Sequence, residues 1–348
     1  MSAIRVLMIG ASYGLLPAAK IAASGHPVTI VGRENEIEAM QRDGVTLEFS
    51  TDQILHAPLG PHGVRFATPL KIDPSDFDLV LLAVQEPQAH SPEIASLLKR
   101  IGDRLPVASL MNMPPPPFLD RIPELPVAIR GGAYGASDVW SHIPKDRMTL
   151  AGPDPQAYRP DPSRPGKLRV TLASNFKFAP FARPADQALL VRVNHDASRI
   201  VGPLGRFPVQ LLARSSIYTP LAKWPMLVTG NCRCLTQTDA IVSIADAVSG
   251  NISKSRMLYE SVNACLASIG APHSVLTPFD AYLDAAAKLV RPSSLARALS
   301  EGATEIERID LIVLGLLRAV GAKAEALDLL AEISSRISTK LSQNRATR

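Results

Sequence analysis

The chain has 348 residues, 46% of them hydrophobic and 20% charged, and 37 Lys and Arg against 32 Asp and Glu leave a formal charge of +5. That length exceeds one simple core, so two domains are expected. The positive balance suits a small anionic substrate, but it is mild and dispersed, with no basic block interleaved with aromatics, which argues against nucleic acid as a partner.

The first forty residues read as strand, glycine turn, helix and strand. An apolar run at 4–9 stops at Gly10, an Ala-rich stretch at 15–24 is closed by Gly25, and a β-branched run ends at Val31. This is the βαβ unit that offers a helix N-terminus to the pyrophosphate of a dinucleotide. Pro17 falls where a first-turn proline is tolerated, and Gly25 where a helix end wants positive φ. The glycine fingerprint is imperfect. G-x-G-x-x-G would need glycines at 10, 12 and 15, whereas the chain has Gly10, Ser12 and Leu15, with Gly14 one place early. Gly10, Ser12, Tyr13 and Gly14 are the candidate phosphate turn, since a serine can donate to phosphate oxygen. A βαβ unit holding no nucleotide is the alternative.

Further along, 36–42 reads as a helix and 45–49 alternates like a strand. A loop at 69–76 leads into an apolar strand at 77–84 of the kind buried in a parallel sheet. Residues 85–91 are polar and should lie at its C-terminal end, where ligands collect in open α/β sheets. A helix at 92–101 precedes a strand at 106–111, with Asn112 and four prolines at 114–117 after it. Strands are expected at 126–130, 148–150, 167–172 and 207–212, and a helix at 184–204. From about residue 216 helical periodicity takes over, broken at Gly250, 270–272, 291–292, Gly302 and Gly321. Thr277 and Pro278 read as the N-cap and first residue of one helix, and the tail at 343–348 as loose.

The organisation expected is a Rossmann-type α/β domain at 1–213 and an all-helical domain at 214–348. The longest apolar stretch, 311–317, is too short for a membrane span, and the first apolar run lacks a cleavage site, so a cytoplasmic setting without membrane association is expected. Cys232, Cys234 and Cys265 make no disulfide framework, and the 232–234 spacing is tighter than zinc sites use. They read as small buried residues, with no metal implied. Apolar helices such as 309–320 could serve a homodimer interface.

With both halves in view, the chain resembles the ketopantoate reductase family (2-dehydropantoate 2-reductases) over nearly its whole length. Ile9-Gly10-Ala11 with residues 23–33 (ASGHPVTIVGR) is close to the family's GAG and AGHDVTLVAR. Residues 109–112 (SLMN) are like SLQNG. Residues 221–225 (LAKWP) through Cys234-Leu235-Thr236 are a distorted counterpart of LWAKL and NPLTAL. Ser293-Ser294-Leu295 with residues 302–306 (GATEI) is like SSM and GRPTEID.

The resemblance implies a Rossmann domain followed by a helical domain of the 6-phosphogluconate dehydrogenase C-terminal type, with the active site between them and NADP(H) as cofactor. Arg33 then holds the 2′-phosphate. Physically this fits, since a cation replaces the acid that would bind a ribose 2′-hydroxyl. Asn112 becomes the cofactor- and substrate-side asparagine, and Ser294 (or Ser293) and Glu305 bind substrate. The plainer alternatives are Arg33 as a solvated loop cation, Ser293 as a helix cap and Glu305 as a first-turn helix acid.

Two departures bear on the chemistry. The family's catalytic lysine is followed four residues later by an asparagine, whereas Lys223 is followed at that distance by Leu227. Anchoring on Leu235-Thr236 puts Pro225 and Thr229 at the lysine and asparagine positions, with Asn231 the nearest asparagine. Gln85 stands where the family usually has a second lysine near the phosphates. Reducing a carbonyl needs hydride and a proton donor or cation at the developing alkoxide, and Lys223 is the only lysine nearby. The expectation is a cytoplasmic NADP(H)-dependent reductase of a small 2-oxo acid or related carbonyl or imine. An opine-dehydrogenase-like imine reductase and a non-catalytic dinucleotide-binding protein are the alternatives.

Overall fold

The computed structural model describes residues 2–135, 138–153 and 157–347. It divides into two compact units, Met1–Arg121 with Ser137–Pro220, and Ile122–Ala136 with Leu221–Arg348.

The first unit is α/β. In chain order it contains β1 (Val6–Ile9), α1 (Leu15–Ala23), β2 (Val28–Val31), α2 (Glu34–Asp43), β3 (Thr46–Phe49), β4 (Ile54–His56), β5 (Val64–Ala67), β6 (Leu79–Leu82), α3 (Glu86–Ala89), α4 (Pro92–Ile101), β7 (Val107–Ser109) and α5 (Pro116–Leu119). Then follow β8 (Met148–Pro153), β9 (Ala157–Tyr158), β10 (Lys167–Val170), β11 (Ser174–Phe178), α6 (Pro184–Ser198), β12 (Val201–Gly202), β13 (Gly205–Arg206) and β14 (Val209–Ala213). Among the described residues the main sheet runs β14-β11-β8-β7-β6-β1-β2-β5. It is parallel from β5 to β8, and β11 joins β8 antiparallel.

The sequence pattern explains why. Val6 and Met8 pack with α1 and α6, while Leu7 and Ile9, equally buried, must face the other way because strand side chains alternate. A strand apolar on both faces needs cover on both, which is the parallel-sheet condition. α1 then ends as its sequence suggests. The Gly25 amide bonds Ala22 O and the His26 amide Ile21 O, at 3.0 and 3.4 Å, with Gly25 at φ +87°. That is a Schellman end, and only glycine takes its φ without strain.

A second sheet, β4-β3-β10-β9, follows α2 directly and adds three strands, β4, β9 and β10, that are far from β3 in sequence or short. Residues 126–130 are not a strand. Val127–Arg130 form a 3₁₀ turn, because β8 already occupies the edge beside β7. The turn belongs to the second unit, where Ile129 lies beneath Gly315. The helix expected at 184–204 stops at Ser198, since Gly202 and Gly205 turn the chain into the β12–β13 hairpin. Residues 214–220 stay with the first unit, Pro220 packing on Gly152 of β8.

The second unit holds α7 (Trp224–Thr229), α8 (Ile244–Ser249), α9 (Ile252–Ser268), α10 (Phe279–Ala286), α11 (Ser294–Ser300), α12 (Ile309–Ala319) and α13 (Ala324–Ala346). Tyr259 stacks on Tyr282 with ring centroids 5.1 Å apart and meets Phe279 edge-on. α10 starts at Phe279, with Pro278 rather than Thr277 at the cap. The Thr277 carbonyl instead accepts from Tyr259 Oη and Asn263 Nδ2. α12 places Ile312, Val313, Leu316 and Leu317 inside its own unit, so those residues are spent on the core rather than on an interface. The tail is not loose. α13 runs through it, and Asn344 Nδ2 donates to Leu299 O and Ala303 O at 2.8 and 2.9 Å. No helix among the described residues is long and apolar enough to cross a membrane.

Candidate functional site

In the first unit the strand order reverses at β1, which has β2 on one side and β6 on the other. An open α/β sheet has its ligand crevice at such a switch point, outside the carboxyl ends of the strands. Gly10 leaves β1 there at φ +117°, and a Cβ on it would sit 2.3 Å from Ala83 O at the end of β6. No side chain fits.

Gly14 resolves the irregular fingerprint. A Cβ at Gly14 would lie 2.4 Å from Gly10 O, 2.8 Å from Ala83 Cβ and 2.9 Å from Met8 Sδ. It therefore does the close-packing work usually given to the third glycine, and Leu15 is free to bury its side chain as the first residue of α1. Ser12 is exposed at the turn. The Leu15 and Leu16 amides turn back on Ser12 O and Tyr13 O, at 3.0 and 3.1 Å. Tyr13 Oη donates to Leu110 O at 2.9 Å, so its ring reaches from the turn to the end of β7.

Asn112 lies just beyond β7, half-buried, and its Oδ1 is buried with no hydrogen-bond partner. A buried amide oxygen left unpaired costs roughly 1–3 kcal/mol, so such an atom points to a donor that arrives with a ligand. Arg33 is exposed at the N-cap of α2, one residue beyond Gly32 at the end of β2. Gln85 caps α3 at the end of β6, its amide donating to Gln88 Oε1 at 3.0 Å. On the same helix His90 Nε2 pairs with the buried carboxylate of Glu86, a contact hidden within the polar stretch at 85–91.

In the second unit Ser293 and Asn231 are brought together. Ser293 caps α11, accepting from the Ala296 amide, and its Oγ donates to Asn231 O at 2.8 Å. That spends the one hydroxyl proton of Ser293, itself buried, and leaves Ser294 exposed as the first residue of α11. Glu305 is exposed in the segment before α12, which starts only at Ile309, so it is not a first-turn helix acid. Lys223 is half-buried at the N-cap of α7. No hydrogen bond among the described residues links Glu305 to Asn231 or Ser294. Pro225 and Thr229 share one face of α7, four residues apart. Thr229 is fully buried, and its Oγ1 is unpartnered.

One residue of the first unit escaped sequence reasoning altogether. Arg159 follows β9 and donates from Nη1 to Glu36 Oε1 at 2.7 Å and from Nη2 to Ala11 O. Its partners are 123 and 148 residues away in the chain, and no local pattern signals either contact. The three cysteines are buried and free. Among the described residues no group of three or more His, Cys, Asp and Glu could hold a metal ion.

Residues 6–113 match the family model of ketopantoate reductase PanE/ApbA. Among solved structures, a PanE/ApbA family ketopantoate reductase from Ralstonia eutropha JMP134 is 16% identical, with a TM-score of 0.68 over 98% of this chain and 100% of that one. D-mandelate dehydrogenase with NADH and anilino(oxo)acetate is 12% identical, with a TM-score of 0.67 over 98% and 100%. The 2-dehydropantoate 2-reductase of Methylococcus capsulatus is 15% identical, with a TM-score of 0.67 over 99% and 98%. At these identities the likeness is one of fold. No curated protein sequence matches the chain at a significant level.

Proposed function

We propose that this chain, which carries a ketopantoate reductase PanE/ApbA domain at residues 6–113 and shares its fold with oxidoreductases of 2-oxo and 2-hydroxy acids, is a cytoplasmic NADP(H)-dependent reductase of a small anionic 2-oxo acid or related carbonyl. The observation that carries the reading is the cradle at the β1–β6 switch point. There the Gly10 backbone lies too close to Ala83 for any side chain, and Asn112 Oδ1, just past β7, waits unpaired.

These residues fit a dinucleotide. The turn from Gly10 to Gly14 and the N-terminus of α1 would hold the pyrophosphate, Ser12 donating a hydroxyl. Arg33 would hold the 2′-phosphate, since a charge-assisted contact contributes roughly 1.5–3 kcal/mol. Bound there, the cofactor supplies the hydride. Asn112 orients the carbonyl side of the substrate through its amide. Lys223 delivers a proton, or a fixed positive charge, to the oxygen that becomes the hydroxyl. Ser294 and Asn231 hold the carboxylate end, and Glu305 accepts from a substrate hydroxyl, amine or water.

A second reading has a specific observation behind it. With Pro225 and Thr229 on the α7 face where the resemblance puts the family's lysine and asparagine, a dinucleotide-binding protein without turnover is the alternative.

The experiment is fluorescence quenching with NADPH and NADH, followed by turnover on a panel of 2-oxo acids. NADPH binding with turnover is the expected result. Arg33→Ala should weaken NADPH about tenfold or more and leave NADH nearly unchanged. Lys223→Ala should lower kcat by about a hundredfold or more. Quenching with no turnover on any acid favours the binding protein, and turnover only with added amine favours an imine reductase. An unchanged kcat in Lys223→Ala, with activity lost in Glu305→Ala, removes Lys223 as the acid.

A further inference from the structure

We infer that Arg159 sets the choice between NADP(H) and NAD(H), by neutralising Glu36 at the adenosine end of the cofactor site. This rests on the reading of the first unit as a dinucleotide site with Arg33 at the 2′-phosphate.

The geometry is local to that unit. α2 begins directly after Arg33, and its first turn carries two carboxylates, Glu34 and Glu36. An acid near the end of the second strand is what NAD-binding sites use to accept from the ribose diol, and it repels a 2′-phosphate carrying roughly two negative charges. Glu36 is not left to do either. Arg159 Nη1 holds Glu36 Oε1 at 2.7 Å, and the two side chains are only 25% and 22% exposed. Its other terminal nitrogen donates to Ala11 O, a carbonyl of the phosphate turn. One guanidinium therefore spans from the turn that would hold the pyrophosphate to the helix capped by Arg33, which would hold the 2′-phosphate. Its Nε is buried and has no hydrogen-bond partner.

The device depends on the small second sheet. β10 pairs parallel with β3, the strand that follows α2, and β9 pairs with β10 on its outer side. This register is anchored where Gly166 packs on Gly44 O, 2.1 Å from where a Cβ would be. The strand that delivers Arg159 is thus fixed to the same segment that carries Glu36. Removing the guanidinium would leave a half-buried carboxylate facing the 2′ position, free to accept from a ribose diol.

The test is the ratio of NADH to NADPH dissociation constants, read by fluorescence quenching in wild type, Arg159→Ala, Glu36→Gln and the double variant, with far-UV circular dichroism confirming the fold of each. A ratio is needed because the turn that Arg159 braces at Ala11 O would hold the pyrophosphate of either cofactor, so loss of the brace moves both constants together. Arg159→Ala should lower the ratio roughly tenfold or more. Glu36→Gln should leave it unchanged or raise it, and in the double variant most of the NADPH preference should return. If Arg159→Ala weakens both cofactors equally, or Glu36→Gln lowers the ratio, Arg159 is a structural brace and the inference falls while the dinucleotide site stands. Should Arg159→Ala fail to fold, Glu36→Gln and Arg159→Lys decide alone, the lysine lowering the ratio if two-point contact matters. A wild-type protein that binds neither nucleotide removes the proposed function and this inference with it.

Discussion

Gly14 shows how a single residue can do the work of a motif whose spacing it breaks. Its position is one short of the fingerprint glycine, yet the space around it admits no Cβ, with Gly10 O 2.4 Å from where one would sit. That neighbour is backbone of the phosphate turn and has no rotamer through which to move away. Gly14→Ala should therefore destabilise the protein by about 1–3 kcal/mol, as overpacking does, and weaken dinucleotide binding as well. Ser12→Ala, on an exposed side chain, should change stability by no more than about 0.5 kcal/mol. Urea unfolding of the two variants makes the comparison, and matching midpoints would show that the turn yields more easily than its contacts suggest. Ser293 carries a similar lesson. As a buried cap donating to Asn231 O it has no hydroxyl proton left for a substrate, which leaves the candidate role with Ser294 rather than its neighbour.

Among the elements, α1 is tied to the far edge of the main sheet by a lysine. Lys20 is 2% exposed, and its Nζ donates to the carbonyl of Val209 in β14. Burial pushes its pKa down from the ordinary 10.5 to about 8, and the charge of Arg206 adds to the effect. Between those two values the unfolded chain binds more protons than the native one, so this group makes stability rise with pH from about 8 towards 10.5. The slope from one proton is at most about 1.4 kcal/mol per pH unit. Lys20→Met keeps the buried stem and removes the titration. Subtracting its urea stability from that of wild type at several pH values should leave a difference that grows in favour of wild type through that window. A difference flat with pH would mean that Lys20 is not charged differently in the two states. The end of α13 makes the opposite point about its own sequence. A polar tail at 343–348 suggests fraying, but Asn344 Nδ2 donates to Leu299 O in the last turn of α11 and to Ala303 O just beyond it, which ties the tail down.

Across the whole molecule the two units have separate cores, and all three thiols lie in the second. Burial raises the pKa of each, well above the ordinary range for Cys232 and to about 11 for Cys265. Thiolate is the reactive form, so native thiols should be nearly inert at pH 8. A disulfide reagent such as DTNB should show no fast phase without denaturant and three equivalents in urea. The rate then reports opening of the second unit alone. A thiol that reacts fast in native buffer would mean that its surroundings open without unfolding.

What the sequence by itself determined is the set of features with short range. The βαβ opening, the end of α1 at Gly25, the buried strand at 77–84, α4 and the helical second half all follow from periodicity and from residues a few places apart. These are features that local sterics and burial decide. The resemblance that names a ketopantoate-reductase-type domain rests on the same local strings. Only tertiary structure decided which face each element would find. Residues 126–130 have the composition of a strand, but the place beside β7 is taken by β8, and they turn beneath Gly315 instead. Gly14 is a packing glycine only because β1 and β6 lie under it. The Arg159 contacts join residues 123 and 148 places apart, and no pattern in the chain encodes the distance between them. Burial and charge pairing at such separations are properties of the folded arrangement, and they become readable only once the sheets have brought those residues together.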